Sequence, residues 1–232
     1  MRLLLCFFLL LPSLAPAGPI GSRTVRILYL GAPADPAQKL FIADGVVCQE
    51  VEAPQMNLSP VYQLPAGPVT IHLLNAMPAK LDEISPAAPK ASIAEAVTDL
   101  YLLLSNDPTN TVTPVKMQVI DVNSAKFKKG QMLWFNLTKN DVGGILGNQK
   151  LALAANTKAM IDAPSNASGD YEVNLSFRIP GDERLFPLCE TKWSHDPRSR
   201  SLFFILTEEG NRTPRVMGFP DYRDEKETDP KP

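Results

Sequence analysis

The stretch Tyr171-Glu-Val-Asn-Leu-Ser-Phe-Arg178 alternates strictly between apolar and polar residues. Successive side chains of a β-strand point to opposite faces, so this period of two places the apolar residues on one face and the polar residues on the other. An amphipathic helix would need a period of about 3.6 residues, which this stretch lacks. The segment therefore predicts a β-strand with one face in a core and the other in solvent.

Similar short runs, apolar or alternating, lie on both sides of this segment and are separated by turn residues. They include residues 24–30, 131–137 and 202–207, and Asp44-Gly45 marks a hairpin turn. The pattern predicts eleven or twelve strands and an all-β fold, for which we expect an immunoglobulin-like antiparallel β-sandwich. Because about seven to nine strands complete one such sandwich, the count indicates either one extended sandwich or two small ones.

Composition divides the chain into five segments, and no repeat at a fixed period relates them. We expect a signal peptide at residues 1–17, a β-sandwich part at 22–75, a Pro-rich linker or crossover at 76–98, a second β-sandwich part at 99–220 and a disordered charged tail at 221–232.

One or two short helices are expected beside the strands. Thr138 or Asn140 can cap a helical turn that Gly147 would end in the left-handed conformation. Residues 90–98, within the predicted linker, have room for one or two further turns.

Residues 1–17 have the pattern of a secretory signal peptide. Arg2 precedes the apolar run Leu3–Leu11, and Ala15-Pro16-Ala17 forms a small-x-small cleavage site. Nine helical residues span about 14 Å, against a hydrocarbon core of roughly 30 Å, so the run is too short for a permanent anchor. The sequence has no second long apolar run. We therefore expect an exported protein of the periplasm or the extracellular space, with no membrane span in the mature chain.

Five short motifs in residues 25–75 resemble those of a known family. They are Val25-Arg-Ile-Leu-Tyr29, Ala32-Pro-Ala-Asp-Pro36, Phe41-Ile-Ala-Asp-Gly45, Ser59-Pro-Val-Tyr62 and Leu64-Pro-Ala-Gly67. In this order they resemble the start of a family of exported bacterial immunoglobulin-like β-sandwich domains of unknown function. The resemblance implies an envelope or extracellular sandwich and no established chemistry.

Charge and motif spacing argue against several function classes. The chain has 23 basic and 25 acidic residues, so it lacks the positive charge that nucleic-acid binding requires. Its acidic residues do not have the spacing of a calcium loop, and the glycines at 143–147 lack the continuation of a phosphate-binding loop. We therefore assign no cofactor and no metal ligand from the sequence.

Two cysteines remain after the predicted cleavage, Cys48 and Cys189. In an oxidising compartment two thiols are often paired, and this bridge would close a loop of about 140 residues and contribute about 4 kcal/mol. The alternative is two free buried thiols. The sequence does not decide between the disulfide and the two free thiols.

Residues 189–196, Cys-Glu-Thr-Lys-Trp-Ser-His-Asp, hold a thiol, a hydroxyl and an imidazole within one short segment. Nucleophilic catalysis by Cys189 or Ser194 with His195 requires these side chains within hydrogen-bond reach of each other. The motifs of known hydrolases and metalloproteases are absent from the sequence. A hydrolase or thiol enzyme is therefore the alternative, and no residue is assigned as catalytic.

The favoured hypothesis is a non-catalytic binding or structural module of the cell envelope. Its partner would be an envelope or extracellular protein or a glycan, bound by sandwich loops or by an exposed edge strand. Trp134 and Trp193 are the candidate ligand-contact aromatics. If both indoles are exposed on one face, they suggest carbohydrate stacking, and if both are buried, the glycan version loses its support.

Overall fold

A computed structural model describes residues 22–31, 39–123, 126–165, 168–207 and 210–222 of the chain. The predicted signal peptide, the Ala32–Pro36 motif and all but the first two residues of the predicted tail lie outside these ranges. Within the described residues, no helix is long and apolar enough to cross a bilayer.

The protein is all-β, as the alternating pattern predicted. The described residues form sixteen strands, β1 Ser22–Leu30, β2 Leu40–Ala43, β3 Cys48–Val51, β4 Tyr62–Pro65, β5 Val69–Leu74, β6 Lys90–Ile93, β7 Asp99–Asn106, β8 Val115–Asp121, β9 Met132–Asn136, β10 Asp141–Leu146, β11 Gln149–Leu153, β12 Lys158–Ile161, β13 Gly169–Arg178, β14 Phe186–His195, β15 Arg200–Leu206 and β16 Arg215–Asp221. The Tyr171–Arg178 segment lies in β13, where its apolar residues are buried and its polar residues are exposed or partly exposed.

The strands form four four-stranded sheets. Sheet A has the order β4-β1-β7-β8, and sheet B has the order β3-β2-β5-β6. Sheet C has the order β12-β9-β15-β16, and sheet D has the order β11-β10-β13-β14. Pairing is antiparallel except between β1 and β7 and between β9 and β15, which run parallel.

The two halves of the chain have the same topology. Strands β9 to β16 repeat the order of β1 to β8 in both sheets, including the one parallel pair in sheets A and C. The sequence gives no sign of this repeat because corresponding strands differ in length and in apolar residues. For example, LFIA in β2 corresponds to DVGGIL in β10.

Three large apolar clusters hold the sheets in the order B, A, C, D. The first fills the space between sheets A and B, with Ile27 and Ile71 at its centre. The second joins the outward faces of sheets A and C through residues such as Leu103 and Phe204. The third, around Trp134, lies between sheets C and D. The molecule is therefore two sandwich-like pairs of sheets stacked on each other.

Strand pairing divides the chain at a different place from the composition. Strands β7 and β8 pair with β1, so they belong to the first half, and the division falls between β8 and β9. Residues 76–98, the predicted linker or crossover, contain β6, and Leu81 and Ile84 pack on the outer face of sheet B. Similarly, Asp221 of the predicted tail is a buried residue of β16.

The predicted short helices are wrong in two places. Residues 141–146 form β10, because Val142 and Leu146 are buried in the third apolar cluster and Gly144 lies too close to β13 for a side chain. Residues 90–93 form β6. The described helical structure is one 3-10 turn, Leu81–Glu83.

A buried cluster of charges joins the two halves. Arg200 of β15 donates to Asp221 at 2.9 Å and to Asp99 of β7 at 2.7 Å. Its remaining N–H groups donate to the carbonyls of Val122 and Phe127. Burial alone would lower the pKa of Arg200, but the neighbouring Tyr101 and the two carboxylates outweigh it and raise this pKa.

Two groups of the first half complete this cluster. Arg26 of β1 forms an ion pair with Asp221, and the Tyr101 hydroxyl donates to the same carboxylate. The Arg200 guanidinium also lies over the rings of Tyr101 and Phe127. Two arginines and two aspartates balance in charge, so burial leaves no net charge in the cluster.

Replacing Arg200 should destabilise the protein strongly. Arg200→Met leaves Asp99 and Asp221 buried without their main partner, which typically costs about 3–5 kcal/mol. We expect about 3 kcal/mol, since Arg26 and Tyr101 still contact Asp221. Arg198→Met is the matched control, because Arg198 pairs with Asp196 in solvent, and no measurable change is expected. Urea unfolding measures both. Equal effects of the two variants would contradict this account.

Candidate functional site: a cleft between two edge strands

The second half of the molecule is open along one side. Strands β14 and β16 are edge strands, and among the described residues β14 pairs only with β13 and β16 only with β15. In the first half the corresponding strands β6 and β8 lie against each other, whereas no contact of comparable extent joins the described residues of β14 and β16. A cavity of about 500 Å³ lies between them, which we call the β14–β16 cleft.

Small residues explain why the cleft is not filled. In the first half, inward-facing cross-strand pairs such as Leu102 with Val119 combine two large apolar side chains. In the second half the corresponding sheet pairs Phe203 with Gly218 and Ser201 with Pro220. Less side-chain volume therefore projects into the space between the sheets. Residues from both sheets line the cleft, among them Met132, Tyr171, Trp193, His195, Ser201 and Gly218.

Aromatic rings form one wall of the cleft. Trp193 stacks on Phe203 with ring centroids 5.2 Å apart and an interplanar angle of 4°. Tyr171 presents its edge to Trp193, at 6.4 Å between centroids. Phe203 in turn covers Gly218, where an added Cβ would lie 2.6 Å from the Phe203 ring. Gly218 therefore allows the ring to lie flat against β16 and to support Trp193 from behind.

His195 is the buried polar group of this cleft. It is the last residue of β14, its exposed fraction is 7 %, and its Nε2 atom has no hydrogen-bond partner among the described residues. Burial lowers its pKa from the ordinary value of 6.5, and the nearby Asp196 carboxylate opposes this shift with a smaller effect. This shift favours the neutral imidazole, whose Nε2 is buried without a hydrogen-bond partner among the described residues.

The charged side chains that line the cleft are already paired. Lys192 lies 3.1 Å from Glu172 in solvent, and Asp196 lies 2.7 Å from Arg198. Hydrogen bonds from Arg198 lower the pKa of Asp196 to about 2. The cleft thus combines an aromatic wall, a neutral imidazole and hydroxyl groups with charges that compensate each other.

The two tryptophans do not form an exposed platform. Trp134 is fully buried in the third apolar cluster, with its centroid 4.3 Å from that of Phe203. It cannot contact a ligand, because the rings of Phe203 and Trp193 pack against it. Trp193 is partly buried and lines the cleft. The expectation of two ligand-contact indoles is therefore wrong for Trp134.

The structure does not bring together the side chains of Cys189, Ser194 and His195 that the enzyme alternative requires. Ser194 and His195 are neighbours on one strand, so their side chains point to opposite faces, and Ser194 is exposed while His195 is buried. Cys189 precedes His195 by six residues, or roughly 20 Å along an extended strand. Burial also raises the pKa of Cys189, which disfavours the reactive thiolate. Neither nucleophile is within hydrogen-bond reach of the imidazole.

Of the two alternatives for Cys48 and Cys189, the structure shows the unpaired one. Both are free cysteines. Cys48 lies on β3 of sheet B and Cys189 on β14 of sheet D, the two outermost of the four stacked sheets. Stacked sheets lie about 10 Å apart, so roughly 30 Å separates the outer ones, far more than the ~7 Å between Cα atoms that a disulfide tolerates.

A second depression lies on the solvent face of sheet D. Its volume is about 660 Å³, and Gly143, Ala152, Ser176, Arg178 and Leu185 are among the residues that line it. None of the buried polar atoms without a partner in the described residues belongs to this lining. Nor do the described residues contain a group of three or more His, Cys, Asp or Glu placed to hold a metal ion. The β14–β16 cleft is therefore the candidate site.

Sequence reasoning named Trp193, Ser194 and His195 but missed the residues that complete the cleft. Tyr171, Ser201, Phe203 and Gly218 come from β13, β15 and β16, and only the sheet order brings them beside β14. One local signal was available, since Gly218 interrupts a strand, and a glycine within a strand often marks a close approach of another group.

Comparison of the sequence with protein-family models gave no match, and neither did a search of the curated proteins. The geometry of the cleft is therefore the basis for any functional assignment.

Filling the space above Gly218 should disturb the aromatic wall. Gly218→Ala places a methyl group against the Phe203 ring, and such overpacking costs about 1–3 kcal/mol. We expect the penalty to shrink in a Phe203→Leu background, because the shorter side chain leaves room for the methyl group. A double-mutant cycle of urea unfolding measures this coupling. Purely additive free energies would contradict the assigned contact.

Acid should destabilise the protein partly through His195. The unfolded imidazole titrates near 6.5 and the folded one lower, so the unfolded state binds more protons between these values. The contribution of His195 to the free energy of unfolding is therefore fully present above pH 6.5, and it is lost as the pH falls through the folded pKa. Burial also lowers the pKa of His72. We expect His195→Gln and His72→Gln each to reduce the stability lost between pH 7.5 and 5, and the double variant to lose least. An unchanged loss in His195→Gln would refute the assignment.

Proposed function

We propose that this chain is an exported, non-catalytic binding module of the cell envelope. Export is supported by the signal-peptide pattern of residues 1–17. A paired-sheet architecture of the immunoglobulin-like type, which the motifs in residues 25–75 resemble, suits such a module, because rigid strands hold a recognition surface in place.

The proposed binding site is the β14–β16 cleft. At about 500 Å³ its volume falls within the roughly 300–1,000 Å³ that is typical of small-ligand pockets. Its mixture of aromatic walls and a few polar groups also matches the composition of such pockets. Trp193 and Tyr171 supply the apolar contact, and His195 supplies a directional hydrogen bond.

The observation that carries this proposal is the Nε2 atom of His195. Buried polar groups in proteins nearly always have a hydrogen-bond partner, and an unsatisfied one costs about 1–3 kcal/mol. Here the atom has none among the described residues, and its side chain lines a cavity. A bound ligand that satisfies this nitrogen accounts for both facts.

A protein partner that adds a strand to the edge of β14 or β16 is less well supported. Strand addition needs a continuous row of backbone N–H and C=O groups. Pro187 interrupts β14 beside a β-bulge, and Pro220 interrupts β16. Proline removes a backbone donor, and natural edge strands use it to prevent such pairing. The cleft is therefore the favoured site.

Nuclear magnetic resonance tests this proposal directly. The exported protein, labelled with ¹⁵N, is screened against separate mixtures of neutral sugars, amino-acid amides, nucleosides and small phenols. We expect one mixture to shift the Trp193 indole signal and signals of β14 and β16. Ser201→Leu should abolish these shifts, because leucine fills the cleft. Ser176→Leu, on the solvent face of sheet D, is the matched control and should preserve them. No shift with any mixture would contradict the proposed function.

A further inference from the structure

The charges around the β14–β16 cleft indicate a neutral ligand. Lys192 is paired with Glu172, and Asp196 is paired with Arg198. His195 is buried, and a neutral imidazole offers no charge to a ligand. A charged ligand would lose hydration on entering and would find no uncompensated partner, which is unfavourable. These pairs therefore favour an uncharged ligand.

The walls of the cleft distinguish further between uncharged molecules. The aromatic part of the lining is the partly exposed Trp193, with the buried Tyr171 beside it. The polar part comprises the hydroxyl groups of Ser201 and Ser199 and the buried imidazole of His195. Ser199 already donates its proton to the carbonyl of Asp196, so its oxygen is left to accept. The site therefore offers apolar surface together with both hydrogen-bond donors and acceptors.

A hydrocarbon or a simple aromatic ring would match only the aromatic part of the lining. Such a ligand would contact Trp193 but would leave Nε2 of His195 without a partner and would displace water from the serine hydroxyls. A sugar ring matches both the aromatic and the polar part of the lining, because it has apolar C–H faces and a rim of hydroxyl groups that each donate and accept. It also carries no charge when it is unsubstituted or N-acetylated.

We infer that the β14–β16 cleft binds a neutral saccharide, with a sugar ring against Trp193 and a sugar hydroxyl hydrogen-bonded to Nε2 of His195 after the imidazole turns this buried nitrogen toward the cleft. This inference rests on the proposed function and specifies its ligand class. It differs from an exposed two-tryptophan platform, because one partly buried indole and an imidazole at the end of the same strand form the site. The volume of the cleft suits one or two sugar residues rather than a long chain.

Titration of the ¹⁵N-labelled exported protein tests the inference. The neutral probes are glucose, galactose, N-acetylglucosamine and the disaccharides maltose, cellobiose and lactose. Glucuronic acid and glucosamine are their charged counterparts, and p-cresol is the aromatic probe without a hydroxyl rim. We expect at least one neutral sugar to shift the Trp193 indole signal saturably. Its charged counterpart and p-cresol should bind at least about tenfold more weakly.

Substitutions in the cleft test which side chains contact the sugar. His195→Gln keeps a polar group near the position of Nε2 but loses its geometry, and affinity should fall by about tenfold, the effect of one good hydrogen bond to a buried group. Ser201→Leu should abolish sugar binding, while Ser176→Leu should retain the affinity of the unmodified protein. If His195→Gln is unfolded, Trp193→Phe replaces it, with a smaller ring surface and a correspondingly weaker affinity.

The outcomes separate the two proposals. Saturable binding of p-cresol or an amino-acid amide to the cleft, without binding of any neutral sugar, overturns the saccharide inference and leaves the binding module intact. Preferred binding of glucuronic acid or glucosamine also overturns it, since the cleft would then recognise charge. Sugar shifts that persist in Ser201→Leu overturn it by placing the site elsewhere. Absence of shifts with every probe in both experiments overturns the inference and the proposed function together.

Discussion

The contact between Arg200 and the two carboxylates Asp99 and Asp221 fixes how the two halves of the molecule meet. Each half could bury one face of its inner sheet within its own sandwich, but sheets A and C also carry apolar residues on their other faces. Those faces must be covered, and each covers the other. The charge cluster lies at this junction, and its hydrogen bonds define one relative placement, which apolar packing alone specifies less strictly. Burial of balanced charges in this way favours specificity over raw stability.

This placement has consequences for the candidate site. Asp221 is the last residue of β16, so the cluster holds one edge of the β14–β16 cleft against the first half. The other edge, β14, pairs with β13 among the described residues and packs on sheet C through Trp193. The two edges therefore belong to different sheets with different supports, and the small side chains between them leave the space open. In the first half, which has the same topology, large apolar side-chain pairs fill the corresponding space between the sheets. The two halves thus share one topology, but the first is filled and the second is open.

Much of the fold followed from local sequence, and the site did not. Strict alternation in Tyr171–Arg178 required a half-buried strand, and β13 has that form. By contrast, residues 138–147 combine capping residues with glycines, which favoured a helical turn. Burial of Val142 and Leu146 in the core overrode that local preference. Similarly, prolines in residues 76–98 indicated a linker or crossover, and the pattern did not reveal that Leu81 and Ile84 pack on sheet B. The cleft depends on β14 and β16 lying opposite each other, and sheet order is a long-range property that no local pattern records. Trp134 shows the same limit, because its burial depends on Phe203 and Trp193, far away in sequence.

The central claim is that a ligand enters the open cleft between β14 and β16 and satisfies the buried, unpartnered Nε2 of His195. A crystal structure of the exported protein, grown with a neutral disaccharide, tests this most directly. The account predicts that the two edge strands stay apart and that a sugar hydroxyl lies within about 3 Å of Nε2, beside the Trp193 ring. A structure in which β14 packs against β16 and Nε2 bonds to a group of the protein itself would contradict it.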